Sequence, residues 1–128
     1  MTELSEETLR EAGYDIWNAR ITSWDLSMED HGCLTLDLSI KGDCRGTVIG
    51  GYILGNGYVG ANKFIGSKAG TEYIMRVLDT VGVPRSSMLT GSYVRVASKD
   101  GACRIFGNII EDKWFDIKEF FAEAKNNG

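Results

Sequence analysis

Hydrophobic and polar residues alternate along two stretches of the N-terminal half, and this alternation predicts two β-strands. The firmer pattern runs from Leu34 to Ile40, where every second residue is apolar, as expected for a strand with one buried face. A longer pattern runs from about Ile16 to Met28, but its apolar residues change parity near the middle. Because a strand accommodates such a slip only with an extra residue, we predict a β-bulge near Thr22 or Ser23.

The following segments predict three more strands. Residues 47–54 are apolar on both parities, which is typical of a central strand, although Gly50 and Gly51 interrupt the run. Glycines at such positions indicate a bend in the sheet or a place where another group approaches the backbone closely. Residues 92–97 and 102–110 flank an Asp-Gly turn at Asp100-Gly101, so we expect these two strands to pair antiparallel.

Capping signals and helical spacing predict three helices. Ser5 opens a short N-terminal helix, and a central helix follows Ser67, with apolar residues at helical spacing as far as Val81. The last helix is predicted to start at Ile117, because Asp116 begins a capping box. The expected fold class is therefore α+β, with a bent, mainly antiparallel sheet of about five strands, one central helix and a C-terminal helix.

Composition limits the type of protein. The 128 residues fit one domain, with a hydrophobic content of 43% and a pI near 5.0. An acidic protein is a poor binder of long nucleic acids, since these require a broad basic face. We find neither a run of about 18 apolar residues nor a secretory leader, so we expect no membrane partner and a cytoplasmic location.

Charge is nevertheless segregated along the chain. No Asp or Glu occurs from Cys44 to Thr71, a glycine-rich segment that contains Arg45, Lys63 and Lys68. Extended to Lys99, the segment holds seven basic and two acidic residues and therefore has a net charge of +5. Since the whole chain has a net charge of −4, the remaining residues have a net charge of −9. Since glycine lets backbone N–H groups approach a ligand closely, this distribution favours a small anionic ligand.

The most specific candidate binding site is the start of the central helix. Lys68 follows the predicted cap in the sequence Gly66-Ser67-Lys68-Ala69-Gly70, where a helix dipole disfavours a cation unless an anion binds there. Arg95 or Arg104 could add positive charge, and Tyr58 or Phe64 could stack on a base. Each feature also has a purely structural explanation: Lys68 would be a solvated lysine, the glycine-rich segment a surface loop, and Tyr58 and Phe64 core residues.

Other chemistry is weakly indicated. Residues 55–60 match the G-x-G-x-x-G dinucleotide fingerprint, but no helix follows directly and no strand–helix alternation surrounds it, which favours a glycine-rich hairpin or surface loop. A zinc site would need all three cysteines and His31, the single histidine. We recognise no catalytic signature and therefore expect neither an enzyme nor a cofactor.

Four stretches resemble a family of small, largely uncharacterised proteins of bacteriophages and prophages. The resemblance covers roughly residues 20–121 and is carried by residues 50–55, 66–79, 91–96 and 105–115. It implies a phage origin and no particular chemistry. Small phage proteins without enzyme motifs are often suspected of blocking host defence.

We therefore expect a non-enzymatic phage protein that sequesters a small phosphorylated nucleotide signal, cyclic or of the ADP-ribose type, and so blocks host immunity. One alternative is a protein–protein inhibitor of a CRISPR-type or other host defence complex, whose acidic segments would mimic nucleic acid. Another alternative is an accessory protein of phage DNA replication. The sequence does not specify the oligomeric state, and a homo-oligomer is one of the alternatives.

Overall fold

The computed structural model describes residues 4–126, and this part of the chain forms eight β-strands and three α-helices. In chain order the elements are α1 (Glu6–Glu11), β1 (Asp15–Ser27), β2 (Cys33–Gly42), β3 (Arg45–Ile49), β4 (Gly55–Tyr58), β5 (Lys63–Gly66), α2 (Lys68–Val81), β6 (Tyr93–Lys99), β7 (Ala102–Asn108), β8 (Trp114–Asp116) and α3 (Ile117–Asn126).

The strands form an antiparallel sheet in the order β5-β4-β2-β1-β6-β7-β8, with β3 also paired to β2. The predicted α+β class is confirmed, but the described residues hold eight strands where about five were expected. The additional strands β4, β5 and β8 contain four, four and three residues. Strands this short present no hydrophobic alternation long enough to be recognised.

The predicted bulge in β1 is confirmed, because the pairing with β2 shifts register between Ile21 and Ser23. On either side of the shift the apolar residues of the two strands still face each other, with Ile21 opposite Ile40 and Trp24 opposite Leu38. Since directly paired residues share a face of the sheet, the bulge keeps both halves of β1 apolar on the same face.

That face carries the main core, and we call it the core face. Helices α2 and α3 cover it, while α1 packs on the opposite face, where Leu9 contacts Ala97 and Ile105. The buried side chains of the main core come from six strands, both helices and two loops: Trp17, Ala19, Ile21, Leu36, Leu38, Ile40, Ile49, Leu54, Tyr73, Val77, Val81, Leu89, Val94, Val96, Phe106, Phe115 and Ile117.

The predicted strand over residues 47–54 is too long at its C-terminal end. β3 ends at Ile49, since Gly50 and Gly51 have φ angles of +147° and +84°. The Gly51 amide donates a hydrogen bond to the Asp37 carboxylate (2.7 Å), and a Cβ at Gly50 would collide with the same side chain. The two glycines therefore end the strand and allow close contact with β2.

The helix boundaries agree with their sequence signals. Ser67 caps α2, and Gly82 ends it with φ +89°. The Glu119 amide donates to the Asp116 carboxylate at the start of α3 (3.0 Å), and the Phe115 and Phe120 rings on either side of the cap pack 5.5 Å apart as a hydrophobic staple. No helix among residues 4–126 has the length and apolarity needed to span a membrane.

Candidate functional site

The start of α2 is shaped by contacts within the protein. The Ser67 hydroxyl accepts a hydrogen bond from the Gly70 amide and donates one to the Leu54 carbonyl, both at 2.9 Å. A Cβ at Gly70 would collide with the same carbonyl. The serine and the glycine are thus explained by the close approach of residue 54, and one of the predicted anion-binding amides is already used by the cap.

Lys68 lies in the first turn of α2, is exposed and forms no ion pair with any of the described residues. It lines a cavity of about 440 Å³ together with Ser67 and Ala69, whereas Gly66 and Gly70 are not part of the lining. The other charged groups there are Glu72, Arg76 and Glu123, so that two basic and two acidic side chains surround the space. The charge of this cavity is balanced.

The two predicted stacking residues belong to the β4–β5 hairpin, so of the two structural alternatives for residues 55–60 the structure has the hairpin. Phe64 pairs with Gly57, and Tyr58 pairs with Lys63, so the two rings lie on opposite faces of the ribbon. Both side chains are exposed, and neither lines the cavity at Lys68. The structure therefore does not bring them together around one ligand.

Arg95 is held in a different place. Its guanidinium donates hydrogen bonds to the carbonyls of Asn108 (2.9 Å) and Glu111 (2.8 Å), pairs with the Glu6 carboxylate, and lies 4.6 Å from the centre of the Trp114 ring. Only 13% of the side chain is exposed. Its charge and its donors join α1 to the sheet, and Arg95 does not line the cavity at Lys68.

Arg104 is exposed on β7 and lines another cavity, of about 460 Å³, beside Gly50 and Gly51. Asp100 lines the same space. None of the predicted site residues around Lys68 reaches it. The structure thus groups Ser67, Lys68 and Ala69, and places Arg95, Arg104, Tyr58 and Phe64 elsewhere.

Sequence reasoning missed an uncovered part of the core face. Leu26 lies opposite Leu36, and Phe64 opposite Gly57, where an added Cβ would meet both the Phe64 ring and Met28. Leu26, Met28 and Phe64 are 49%, 37% and 62% exposed. We call these three side chains the open end of the core face. The available signal was that apolar alternation in β1 continues to Met28, past the buried part of the strand.

The open end of the core face adjoins β5, which is the last strand of the sheet. All four residues of β5 are exposed, and among residues 4–126 no strand pairs with its outer side. Edge strands are normally protected by short length, charges such as lysine, a proline, a bulge or a covering element. β5 has its four-residue length and Lys63, but Phe64 and Ile65 are both solvent-accessible. Such an edge can accept another strand.

Comparison of the chain with known protein families, curated proteins and solved structures finds no match. The resemblance to phage proteins therefore stays a prediction, and the assignment of a site depends on the geometry described above.

Proposed function

We propose that the protein is a non-enzymatic binding protein that captures an extended segment of a partner protein on the β4–β5 hairpin. The observation that supports this proposal is the juxtaposition of the edge strand β5, whose outer side has no strand partner within residues 4–126, with the open end of the core face. The edge supplies main-chain hydrogen bonds, and the apolar side chains supply contact area. Addition of a strand to a sheet edge uses both.

The charges around the hairpin indicate the chemistry of the partner. Lys63 lies in β5, Lys68 follows closely, and no acidic residue occurs from Cys44 to Thr71. In a fully overlapping antiparallel pair of two β5 strands, Lys63 of each copy would lie opposite Gly66 of the other, so self-pairing would place no acidic group near either lysine. The occupant we propose is therefore an extended segment of another protein with alternating apolar and acidic residues.

The biological partner that we propose is a component of a host defence complex. This part of the proposal comes from the resemblance to phage proteins, and the geometry of the hairpin specifies only the chemistry of the captured segment. An inhibitor of this kind needs no catalytic group, since occupying the surface of the partner is sufficient.

Selection from a displayed library of random peptides tests the binding mode. We expect extended peptides with alternating apolar and acidic residues to be enriched, and their amide exchange data to show new protection in β5. Calorimetry should then show that Phe64→Asp weakens binding by more than about tenfold, as expected for a central apolar contact.

Ile110 provides the matched control, because it is 87% exposed but lies between β7 and β8. Ile110→Asp should leave the affinity unchanged. The proposal is wrong if no peptide is enriched, or if Phe64→Asp and Ile110→Asp have equal effects.

A small phosphorylated nucleotide is the second candidate ligand, and its site would be the cavity at Lys68. Two features favour it: α2 has no acidic residue in its first turn, and Lys68 and Arg76 both line the cavity. The N-terminus of a helix attracts phosphate. Calorimetry with cyclic nucleotides and ADP-ribose should show binding that Lys68→Glu weakens and Lys41→Glu, on the distant part of β2, does not. A panel without any heat of binding would exclude this candidate.

A further inference from the structure

A third cavity, of about 510 Å³, lies beside β8, at the other edge of the sheet from β5. It is lined by residues of α2, β8 and α3 and shares Arg76, Phe120 and Glu123 with the cavity at Lys68. Aromatic rings of Trp114, Phe115 and Phe120 contribute to its wall, and the rings of the two phenylalanines meet edge to face. A cavity of this volume with three aromatic rings among charged side chains suits a small organic molecule. The rings favour an apolar ligand body.

Two carboxylates of α3, Glu119 and Glu123, line the same cavity. They are half-buried, lie one helical turn apart and form no ion pair with any of the described residues. The two other carboxylates of the lining already accept backbone hydrogen bonds, Asp112 from Glu6 and Asp116 from Glu119. Since like charges at this spacing repel, a cation near both glutamates would be stabilised.

The basic side chains that line the cavity have carboxylate partners of their own. The Arg76 guanidinium pairs with Glu72 (2.7 Å), and the Lys113 ammonium lies 3.4 Å from Asp79. These pairs leave Glu119 and Glu123 without an ion-pair partner among the described residues, and Glu123 also lines the adjoining cavity at Lys68. The cavity thus combines an apolar aromatic wall with a net negative rim.

We propose that this cavity binds a small amphipathic amine. Its ammonium group would lie between Glu119 and Glu123, and its apolar body would contact Trp114 and Phe120. Ion pairing with half-buried carboxylates favours an organic cation over a neutral molecule of the same shape, and contact of the apolar body with the rings adds buried apolar area.

Titrations followed by two-dimensional NMR provide the test, with phenethylamine and hexylamine as probes and the isosteric alcohols as neutral controls. The chain has three tryptophans, so the indole signals of Trp17 and Trp24 serve as internal references for that of Trp114. We expect the amines to shift the Trp114 indole and α3 amide signals, and the alcohols to bind at least about tenfold more weakly, which corresponds to about 1.4 kcal/mol.

Charge variants locate the ammonium group. Glu119→Gln and Glu123→Gln should each weaken amine binding about threefold, and the double variant about tenfold, as partly exposed ion pairs do. Glu29→Gln, in the turn between β1 and β2, should have no effect. Unchanged Trp17 and Trp24 signals will show that the variants are folded.

Three results would each overturn the proposal: no shift of the Trp114 signal at millimolar amine, equal binding of amine and alcohol, or equal weakening by Glu29→Gln. Binding to this cavity does not involve β5, so either site can fail without affecting the other.

Discussion

At the scale of single residues, charged side chains with the same formal charge have opposite roles in this protein. Arg95 is enclosed by two carbonyls, a carboxylate and the Trp114 ring, whereas Arg104, on the neighbouring strand, is exposed. A sequence shows both simply as arginines on β-strands. Their different surroundings predict different effects on stability.

Arg95→Met should lower the free energy of unfolding by about 2 to 3 kcal/mol, because two carbonyls and the Glu6 carboxylate lose hydrogen-bond donors in a part-buried position. Arg104→Met is the matched control and should change it by less than about 0.5 kcal/mol, as exposed substitutions do. Urea unfolding measures both. Equal effects of the two substitutions would show that the contacts of Arg95 contribute little.

At the scale of secondary-structure elements, the sequence predicts an element well where its apolar pattern or its caps are local. The bulge in β1, the start of α3 at Ile117 and both ends of α2 were predicted because parity, capping box and glycine stop each lie within a few residues. β4 was not predicted, since Gly55 and Gly57 have no side chains to alternate. The proposed docking surface escaped detection for the same reason, because it depends on the pairing of β5 with β4.

The attachment of α1 to the sheet predicts a dependence of stability on pH. The Asp112 carboxylate accepts hydrogen bonds from the Trp114 indole (2.6 Å) and from the Glu6 amide at the start of α1 (2.8 Å). These bonds, the indole first, hold the pKa of Asp112 below its ordinary value of 3.8. Because the folded-state pKa is lowered, the resulting stability is present above pH 3.8 and is lost as the pH falls through the folded-state value.

We therefore expect Asp112→Asn to reduce the free energy of unfolding at pH 6, and the difference from the wild type to shrink towards pH 3. Urea unfolding at the two pH values, with Asp25→Asn as an exposed control, measures this difference. A gap between wild type and Asp112→Asn that stays constant with pH would show that the charge of Asp112 makes no contribution.

At the scale of the whole molecule, the segregation of charge along the chain is partly kept in space. Residues 55–66 of the acid-free segment form the β5 end of the sheet, and Asp112 and Asp116 lie near the β8 end, whereas Glu123 of α3 lines the cavity at Lys68. The net charge of −4 opposes an acidic partner, while the local charge at β5 attracts it. Whether the net repulsion or the local attraction dominates depends on the Debye length, the distance over which electrostatic interactions act in salt solution.

Salt concentration sets that distance, so association of a selected acidic peptide should be fastest at intermediate salt. The Debye length is about 30 Å at 0.01 M salt, close to the diameter of roughly 28 to 35 Å expected for a domain of this size, and the whole negative charge then slows encounter. At 0.1 M it is about 10 Å, and the peptide responds mainly to the lysines near β5. At 1 M both effects are screened. Stopped-flow measurements should show the association rate constant rising and then falling, by about two- to tenfold.

Neutralising the two lysines separates this explanation from a general salt effect. With Lys63→Gln and Lys68→Gln combined, local attraction is removed, and the association rate constant should rise steadily with salt as the net repulsion is screened. Lys41→Gln changes the net charge by one unit on a part of β2 distant from β4 and should retain the maximum. The dissociation rate constant should change little in either variant, because charges at the rim of an interface act mainly on encounter. If the wild-type rate falls monotonically from the lowest salt, the net charge has no influence and the local field at β5 acts alone.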